Sequence, residues 1–252
     1  MKCKICRSNT SHLFNKNILS KYDISYFRCK KCFFIQTEEP YWLDEAYAES
    51  INLTDTGYMS RNLLFRNRIK YFLKVKFQRD DIFQDFGAGY GVFTRLMRDL
   101  NFDFRWSDEF TDNLFARGFE SKPDIQNFAA ITLFEVAEHL VDPFEQFEKL
   151  SRTTNNIIFS TELSPVSEKE ISKWWYLGLE HGQHVSIWSE AAIKSMAHQL
   201  EMHCYSVGSL HFLNKKKLNP YEKAIINFSS LLHRLETRFF GSLTLSDYLK
   251  LK

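Results

Sequence analysis

Apolar positions change period along this chain, and the change marks out its parts. From residue 81 onward, short apolar runs alternate with amphipathic ones. Stretches at 81–85, 103–107, 129–134 and 156–160 have the length and character of buried strands. Stretches at 91–100 and 143–151 have helical spacing, the second with Phe144, Phe147 and Leu150 on one face. Strand and helix in alternation predict an α/β fold, a Rossmann-like doubly wound and mainly parallel sheet with helices on both sides. A helix from Glu190 to about Leu200, then strands near 202–208 and 210–213, close that sheet. Upstream, Phe65, Ile69 and Phe72 recur at i, i+4 and i+7 and predict a preceding helix. Nearer the N-terminus, Ile24 and Tyr26, then Phe33 and Ile35, read as short strands of a ribbon-like module. Pro40 marks its end. The chain therefore divides into a module over 1–40, a core over 41–217, and a tail over 218–252 with Ile225, Phe228, Leu231 and Leu232 at helical spacing.

The junction between the first core strand and its helix reads Asp85-Phe86-Gly87-Ala88-Gly89-Tyr90-Gly91. Glycines permit positive φ and put no Cβ between the backbone and a ligand. The following helix start presents N–H groups that favour an anionic or polar ligand end. Three of only nine glycines fall in this turn, which argues for more than a tight bend. A carboxylate, Asp108, follows about one β-α unit later, and Phe134-Glu135-Val136-Ala137-Glu138-His139 follows the 129–134 strand. Asp85 also suits a helix cap, and Glu138 and His139 read as the start of a helix.

These three elements in this order resemble the class I S-adenosylmethionine-dependent methyltransferases, over roughly residues 41 to 213. The resemblance is nearest to the branch whose fourth strand ends in E-V-x-E-H. It implies that Asp85, Phe86, Gly87, Ala88, Gly89 and Gly91 line the methionine end of the cofactor. It further implies that Asp108 accepts hydrogen bonds from the ribose hydroxyls and that Glu135 faces the cofactor pocket. Tyr58 is a candidate for covering that pocket, with an ordinary packed aromatic as the alternative. A nicotinamide enzyme also needs a glycine turn and a ribose carboxylate. Its GxGxxG spacing differs from the one here.

Four of the five cysteines form Cys3-x-x-Cys6 and Cys29-x-x-Cys32, with 22 residues between the pairs. Two such knuckles match a four-thiolate zinc site. Four cysteines leave no open position for water, so the expected Zn²⁺ is structural. Disulfides are opposed by a reducing cytoplasm, and a redox pair needs only one knuckle. His12, inside the insert, offers a substitute ligand.

In an open α/β sheet the ligand lies beyond the carboxyl ends of the strands, which makes the loop after 156–160 the acceptor-facing one. It carries Glu162, Trp174, Trp175, Tyr176, Glu180, His181, Gln183 and His184. Aromatics exclude water while a few polar groups orient a small molecule. The segment from His181 to Glu190 resembles a segment of methyltransferases acting on sugars and small metabolites, with Ile187 where an aromatic is usual. If the acceptor is a hydroxyl, a histidine with its ordinary pKa near 6.5 is the natural base. His184 is the first candidate and His181 the second; a packed structural histidine is the alternative.

Net charge is +2, which implies no large polyanionic partner. The basic clusters Lys30-Lys31 and Lys215-Lys216-Lys217 are short. No apolar run approaches the roughly 18–20 residues that cross a membrane, and no secretory leader is evident, so a cytoplasmic protein is expected. The pairing of a four-cysteine module with this core resembles the C-methyltransferases of deoxysugar biosynthesis. Because those carry a further large C-terminal domain, the reading moves to O-methylation of a small phosphorylated or nucleotide-activated precursor in surface-polysaccharide or natural-product assembly. Three alternatives stay open: a C-methyltransferase acting on a deoxysugar nucleotide, an RNA or protein methyltransferase gripping its target through the zinc module, and a non-catalytic cofactor-binding protein. The sequence leaves the oligomeric state open.

Overall fold

A computed structural model describes residues 1–48, 55–122 and 127–234. Strands β1 (Thr10–Ile18), β2 (Tyr22–Cys29) and β3 (Ile35–Thr37) come first, followed by helices α1 (Leu43–Ala46) and α2 (Tyr58–Lys76). The central part runs β4 (Ile82–Phe86), α3 (Val92–Arg98), β5 (Asp103–Ser107), β6 (Ala130–Leu133), α4 (Pro143–Ser151) and β7 (Asn156–Ser160). Then come α5 (Glu168–Ile171), β8 (Ser186–Ile187), α6 (Glu190–Gln199), β9 (His203–Val207), β10 (Leu210–Asn214) and α7 (Pro220–Arg234). Residues 235–252 of the expected tail, and the side chain of Leu232, lie outside the described residues.

Six strands form the main sheet in the order β5-β4-β6-β7-β10-β9. β4, β5, β6 and β7 are parallel, and β10 runs against both its neighbours. This is the expected α/β architecture. Its buried strands read as continuous apolar runs because successive residues feed opposite faces. Ile157 and Phe159 of β7 join one core with Phe147, Trp188 and Met196, whereas Ile158 joins the other with Phe72, Phe83 and Phe212. Each such side chain contributes on the order of 1.5–3 kcal/mol when fully buried. In α2, the anticipated Phe65, Ile69 and Phe72 meet this second core together with Leu73.

A second sheet, β1-β2-β3-β8, crosses the expected boundary at residue 40. Ile35 and Gln36 of β3 pair antiparallel with Ile187 and Ser186 of β8. Ile18, Ile24, Tyr26, Ile35 and Trp42 share a third core with Leu177, Val185 and Ile187. Cys3, Cys29 and Cys32 are themselves buried against the main sheet's first core. The N-terminal ribbon is thus built into the domain, and its last strand is completed from residues 186–187. Phe33, expected in a strand, instead occupies the knuckle turn at φ 59 and is exposed; a strand residue there would carry the chain away from Cys29.

Candidate functional site

The sheet's strand order reverses at β4, whose neighbours β5 and β6 connect in opposite directions. Chain segments leaving β4 and β6 diverge there and open a crevice beyond their carboxyl ends. A cavity of about 970 Å³ occupies it, the size of a small-molecule site. Its floor is the turn after β4, lined by Asp85, Phe86, Gly87, Ala88 and Gly89. Asp108 follows β5, Glu135 follows β6, and Tyr58 at the start of α2 closes a side. Three carboxylates therefore stand at the ends of three adjacent parallel strands.

The glycine turn is held down by its own backbone. Gly87 and Ala88 N–H groups donate to the carbonyl of Ser107 at 2.8 and 3.2 Å. Gly89 N–H donates to Asp108 Oδ2 at 2.8 Å, and Gly91 N–H to the Ala88 carbonyl at 3.0 Å. These turn donors are committed to the fold instead of standing open to a ligand. Gly87 has φ 69, and a Cβ there would lie 2.5 Å from Val136. Gly91, expected at the ligand, does not line the cavity: at φ 82 it makes room for Asn113, whose amide a Cβ would meet at 2.2 Å.

Asp85 is a keystone between strands and helix. Its Oδ2 accepts from the Thr94 hydroxyl at 2.8 Å and its Oδ1 from Thr132 at 3.0 Å. Burial outweighs these bonds and pushes its pKa up to about 7. Asp108 Oδ1 accepts from the N–H groups of Phe110 and Thr111 at 2.9 and 2.8 Å. With Gly89 on Oδ2, one lone pair of Asp108 stays open to a ligand hydroxyl. Glu135 sits at φ 56, a costly backbone for a non-glycine residue. Its Oε1 accepts from Ser160 at 2.8 Å, and its Oε2 lies 3.0 Å from Arg61 Nε. Arg61 also pairs with Asp55 at 2.6 Å. Tyr58 meets the Tyr90 ring edge-on at 6.1 Å, and burial raises its pKa to about 12.

The opposite wall is the loop anticipated for an acceptor. Trp174, Trp175, Glu180, His181, Gln183 and His184 line the cavity. The N-terminal part positions this loop. Leu19 N–H donates to the Leu179 carbonyl at 2.9 Å, and Thr37 N–H to the Val185 carbonyl at 3.2 Å. Trp42 Nε1 donates to the Gly182 carbonyl at 2.8 Å, and Gln183 Nε2 to the Ala46 carbonyl at 2.8 Å. Both Val185 and Ser186 N–H groups donate to the Glu138 carbonyl, at 3.0 and 2.9 Å. That pair of bonds brings residues 138–139 beside residue 184.

His184 departs from the ordinary imidazole expected of it. Its Nδ1 donates to the Tyr176 carbonyl at 2.5 Å, which leaves the lone pair on Nε2. Burial, then the neighbouring His181, holds its pKa down to about 3. His181 is lowered too, by burial, and its Nδ1 accepts from Gln183 N–H at 3.1 Å. Glu138 and His139, read from sequence as a helix start, are not helical: α4 begins at Pro143. Instead His139 faces His184 edge-on at 4.9 Å, and its Nδ1 meets Tyr47 Oη at 3.0 Å. Tyr176 donates to Glu138 Oε1 at 2.7 Å. Sequence reasoning missed Arg61, Tyr47, Glu138 and His139 as site components. The available signal was an ionisable Glu-His pair amid apolar residues at a strand end.

At the N-terminus the four knuckle cysteines gather as anticipated. Cys3 and Cys32 sulfurs lie 3.6 Å apart, and Cys6 and Cys29 sulfurs 3.4 Å apart. Tetrahedral thiolates about 2.3 Å from one zinc stand ~3.8 Å from each other, so the donor set fits that metal closely. Cys29 Sγ also accepts from the N–H groups of Lys31 and Cys32, both at 3.4 Å, and Cys3 Sγ from Ile5 N–H at 3.4 Å. His12 is apart from them, its Nε2 bound to Asn15 Oδ1 at 2.7 Å on the exposed hairpin. No helix among the described residues is long and apolar enough to cross a membrane.

A family model described as a methyltransferase domain matches residues 59–206. No curated protein sequence matches the chain. Among solved structures, it is similar to magnesium protoporphyrin IX methyltransferase from Synechocystis PCC 6803 with bound S-adenosylhomocysteine. That pair shares 13% identity at a TM-score of 0.47, over 68% of this chain and 90% of the other. A SAM-dependent methyltransferase from Thermotoga maritima, described as a possible histamine N-methyltransferase, gives 10% identity, a TM-score of 0.46, and coverage of 64% and 92%. A methyltransferase of calicheamicin biosynthesis gives 11%, 0.44, and coverage of 67% and 59%.

Proposed function

Because the chain belongs to the methyltransferase-domain family and is an S-adenosylmethionine-dependent methyltransferase, we propose that it methylates a hydroxyl oxygen of a small molecule held in the 970 Å³ cavity. The observation that carries this reading is the division of the cavity into two chemically distinct halves. One half has Asp85, Asp108 and Glu135 at the ends of three adjacent strands; the other has aromatics and imidazoles on the loop after β7. S-adenosylmethionine supplies a methyl group on a cationic sulfonium, and a carboxylate-lined half suits that charge.

In this reading Asp108 offers its open lone pair to a ribose hydroxyl, and Phe86, Gly87, Ala88 and Gly89 shape the floor. Tyr58 covers the cofactor. Asp85 acts chiefly by fixing the turn, since both its oxygens are engaged by threonines. Glu135, tied to Arg61 and Ser160, borders the cationic end. Across the cavity Trp174 and Trp175 exclude water. His184 presents Nε2 to the acceptor's hydroxyl, with His181 beside it at 4.8 Å between ring centres. With its pKa near 3, His184 is neutral at pH 7 and accepts a hydrogen bond, but it stores a proton poorly. Alignment of oxygen with methyl, rather than base strength, then provides much of the rate.

The lining also narrows the acceptor. Among the described residues, Asp55, Asp85, Asp108, Glu109, Glu135 and Glu180 line the cavity against Arg61 and Lys173. Arg61 is already paired with Asp55 and Glu135. A phosphorylated or nucleotide-linked acceptor, expected from the resemblance, would place its phosphate near Lys173 at the mouth. A neutral hydroxylated metabolite fits the interior better. The four cysteines hold a structural Zn²⁺ in this reading, and the ribbon they anchor braces the acceptor loop rather than gripping a polymer.

Isothermal calorimetry tests the assignment. One S-adenosylmethionine and one S-adenosylhomocysteine site per chain is the expected result. Tight NADH binding without either would overturn it.

A further inference from the structure

Behind the acceptor loop, a ligand atom from each of Glu138, His139 and His184 lies within 4.8 Å of the others. We propose that these three side chains form a second metal site, one that takes a divalent cation such as Mn²⁺, Fe²⁺ or Zn²⁺ and presents it to an oxygen of the acceptor. The proposal rests on the methyltransferase reading for the cation's use, though not for its binding.

Four observations converge on it. First, the donor set is two imidazoles and one carboxylate, a combination suited to first-row divalent ions that leaves coordination positions open. Secondly, Glu138 is 1% exposed, and its Oε2 is buried without any hydrogen-bond partner. A carboxylate oxygen left so is costly unless something positive answers it. Its other oxygen is bound by the Tyr176 hydroxyl, which fixes the direction Oε2 takes. Thirdly, His184 is oriented as metal-bound histidines are. Its Nδ1–H is bonded to a backbone carbonyl, and the lone pair remains on Nε2. Tyr47 Oη contacts the Nδ1 of His139 at 3.0 Å and braces that ring, leaving Nε2 as its second nitrogen. Fourthly, access is one-sided. His139 and His184 line the cavity, whereas Glu138 stands behind the wall. A cation seated there has protein on one side and the acceptor chamber on the other.

Distances are compatible with closure. Donors about 2.1 Å from a common ion stand roughly 3.0–3.4 Å apart. The present spread, up to 4.8 Å, contracts to that by small rotations of two imidazoles. The surroundings favour it as well, since Glu135 and Asp55 add two negative charges that share the single cation Arg61 between them. The site differs from the four-cysteine cluster in its donors and therefore in its preference. Thiolates select Zn²⁺, while nitrogen and carboxylate donors also accept Mn²⁺. His184 then acts as a ligand instead of a proton acceptor, which accords with its Nδ1 being held by the Tyr176 carbonyl and its Nε2 being left to face the cavity.

The test uses the full-length protein with zinc retained at its cysteines and Mn²⁺ as probe. Electron paramagnetic resonance titration should show one bound Mn²⁺ per chain. Glu138→Gln, His139→Ala and His184→Ala should each weaken it at least ~10-fold. On the wild-type protein, Mn²⁺ should broaden the imidazole NMR signals of His139 and His184 and leave that of His12 on the hairpin sharp, a readout independent of whether a variant folds. Absence of Mn²⁺ binding, equal binding in all three folded variants, or broadening confined to other histidines would overturn the proposal. S-adenosylmethionine calorimetry on the same samples separates the two readings. Cofactor binding without Mn²⁺ binding removes the cation alone, whereas Mn²⁺ binding without cofactor binding upholds the metal site and removes the methyltransferase assignment.

Discussion

The indole of Trp42 donates to the carbonyl of Gly182, 140 residues further along the chain, at 2.8 Å. Trp42 is 1% exposed and belongs to the N-terminal core, while Gly182 sits between the two histidines of the acceptor loop. Trp42→Phe keeps most of the packing and orphans that carbonyl, at about 1–3 kcal/mol. The melting temperature should fall, by about 2–4 °C per kcal/mol. Acceptor KM should rise while S-adenosylmethionine affinity holds. Equal losses of acceptor and cofactor binding would show that the bond supports the whole domain rather than the loop.

Asp108 has three backbone N–H groups on its carboxylate and one lone pair left over. Asp108→Ala should weaken S-adenosylmethionine binding by about 10–100-fold, the value of one charge-assisted hydrogen bond. Calorimetry alongside an unchanged melting temperature of the whole domain separates ligand loss from unfolding. An affinity within a few-fold of wild type would assign Asp108 to holding the turn alone.

Cys29→Ser should remove zinc. Elemental analysis of protein purified without chelator is expected to give one zinc per chain in the wild type and substantially less in the variant. Because Cys29 ends β2 and β3 packs between β2 and β8, the loss should reach the acceptor loop as faster amide exchange at residues 185–187. Four rapidly reacting thiols in metal-free native protein would contradict this.

His184→Ala should lower turnover by about 100-fold or more, in the range of a lost proton-transfer or positioning group. Cofactor affinity should change little. His181→Ala is the comparison, since it removes a neighbouring imidazole that makes no bond to the Tyr176 carbonyl. A larger loss at His181 would move the acceptor-facing role to it.

His211 gives a pH dependence independent of the site. Its Nδ1 accepts from Ser206 Oγ at 2.8 Å and its Nε2 donates to the Thr161 carbonyl at 3.1 Å, in a fully buried place. Burial lowers its pKa to about 4, with the Thr161 bond opposing. A histidine depressed in the folded state lends stability that is complete above its unfolded pKa of about 6.5 and is lost as pH falls toward 4. Melting temperature should therefore decline between pH 6.5 and 4, and less steeply in His211→Gln. An NMR titration placing His211 near 6.5 would refute the assignment.

Much of this architecture was legible because local rules carried it. Parallel strands buried on two faces must be apolar runs, and β5, α4 and β7 match the expected ranges over 103–107, 143–151 and 156–160. The knuckle cysteines were readable because a thiolate pair two residues apart has few other uses in such a setting. What local rules cannot encode is partnership across the chain. Ser186 and Ile187 form a strand of two residues, too short to carry a period, and it exists only because β3 lies beside it. Glu138 and His139 read as a helix start because an acidic residue before a helix is common. Their meeting with His184 depends on two N–H groups, at residues 185 and 186, that converge on one carbonyl. The committed N–H groups of the glycine turn were hidden for the same reason, since Ser107 and Asp108 belong to the next strand.

The pairing of β3 with β8 has a consequence for synthesis from one end. Ile35 and Gln36 leave the ribosome about 150 residues before Ile187 and Ser186, the partners they finally take. At ~5–20 residues per second, the open edge of β3 waits roughly 8–30 s. An unpaired edge is a template for the wrong strand, from this chain or another. Only when residues 186–187 emerge is the edge sealed, and the same event sets His184 in place. Completion of the N-terminal ribbon and assembly of the acceptor wall are thus one step in the life of the chain, taken late.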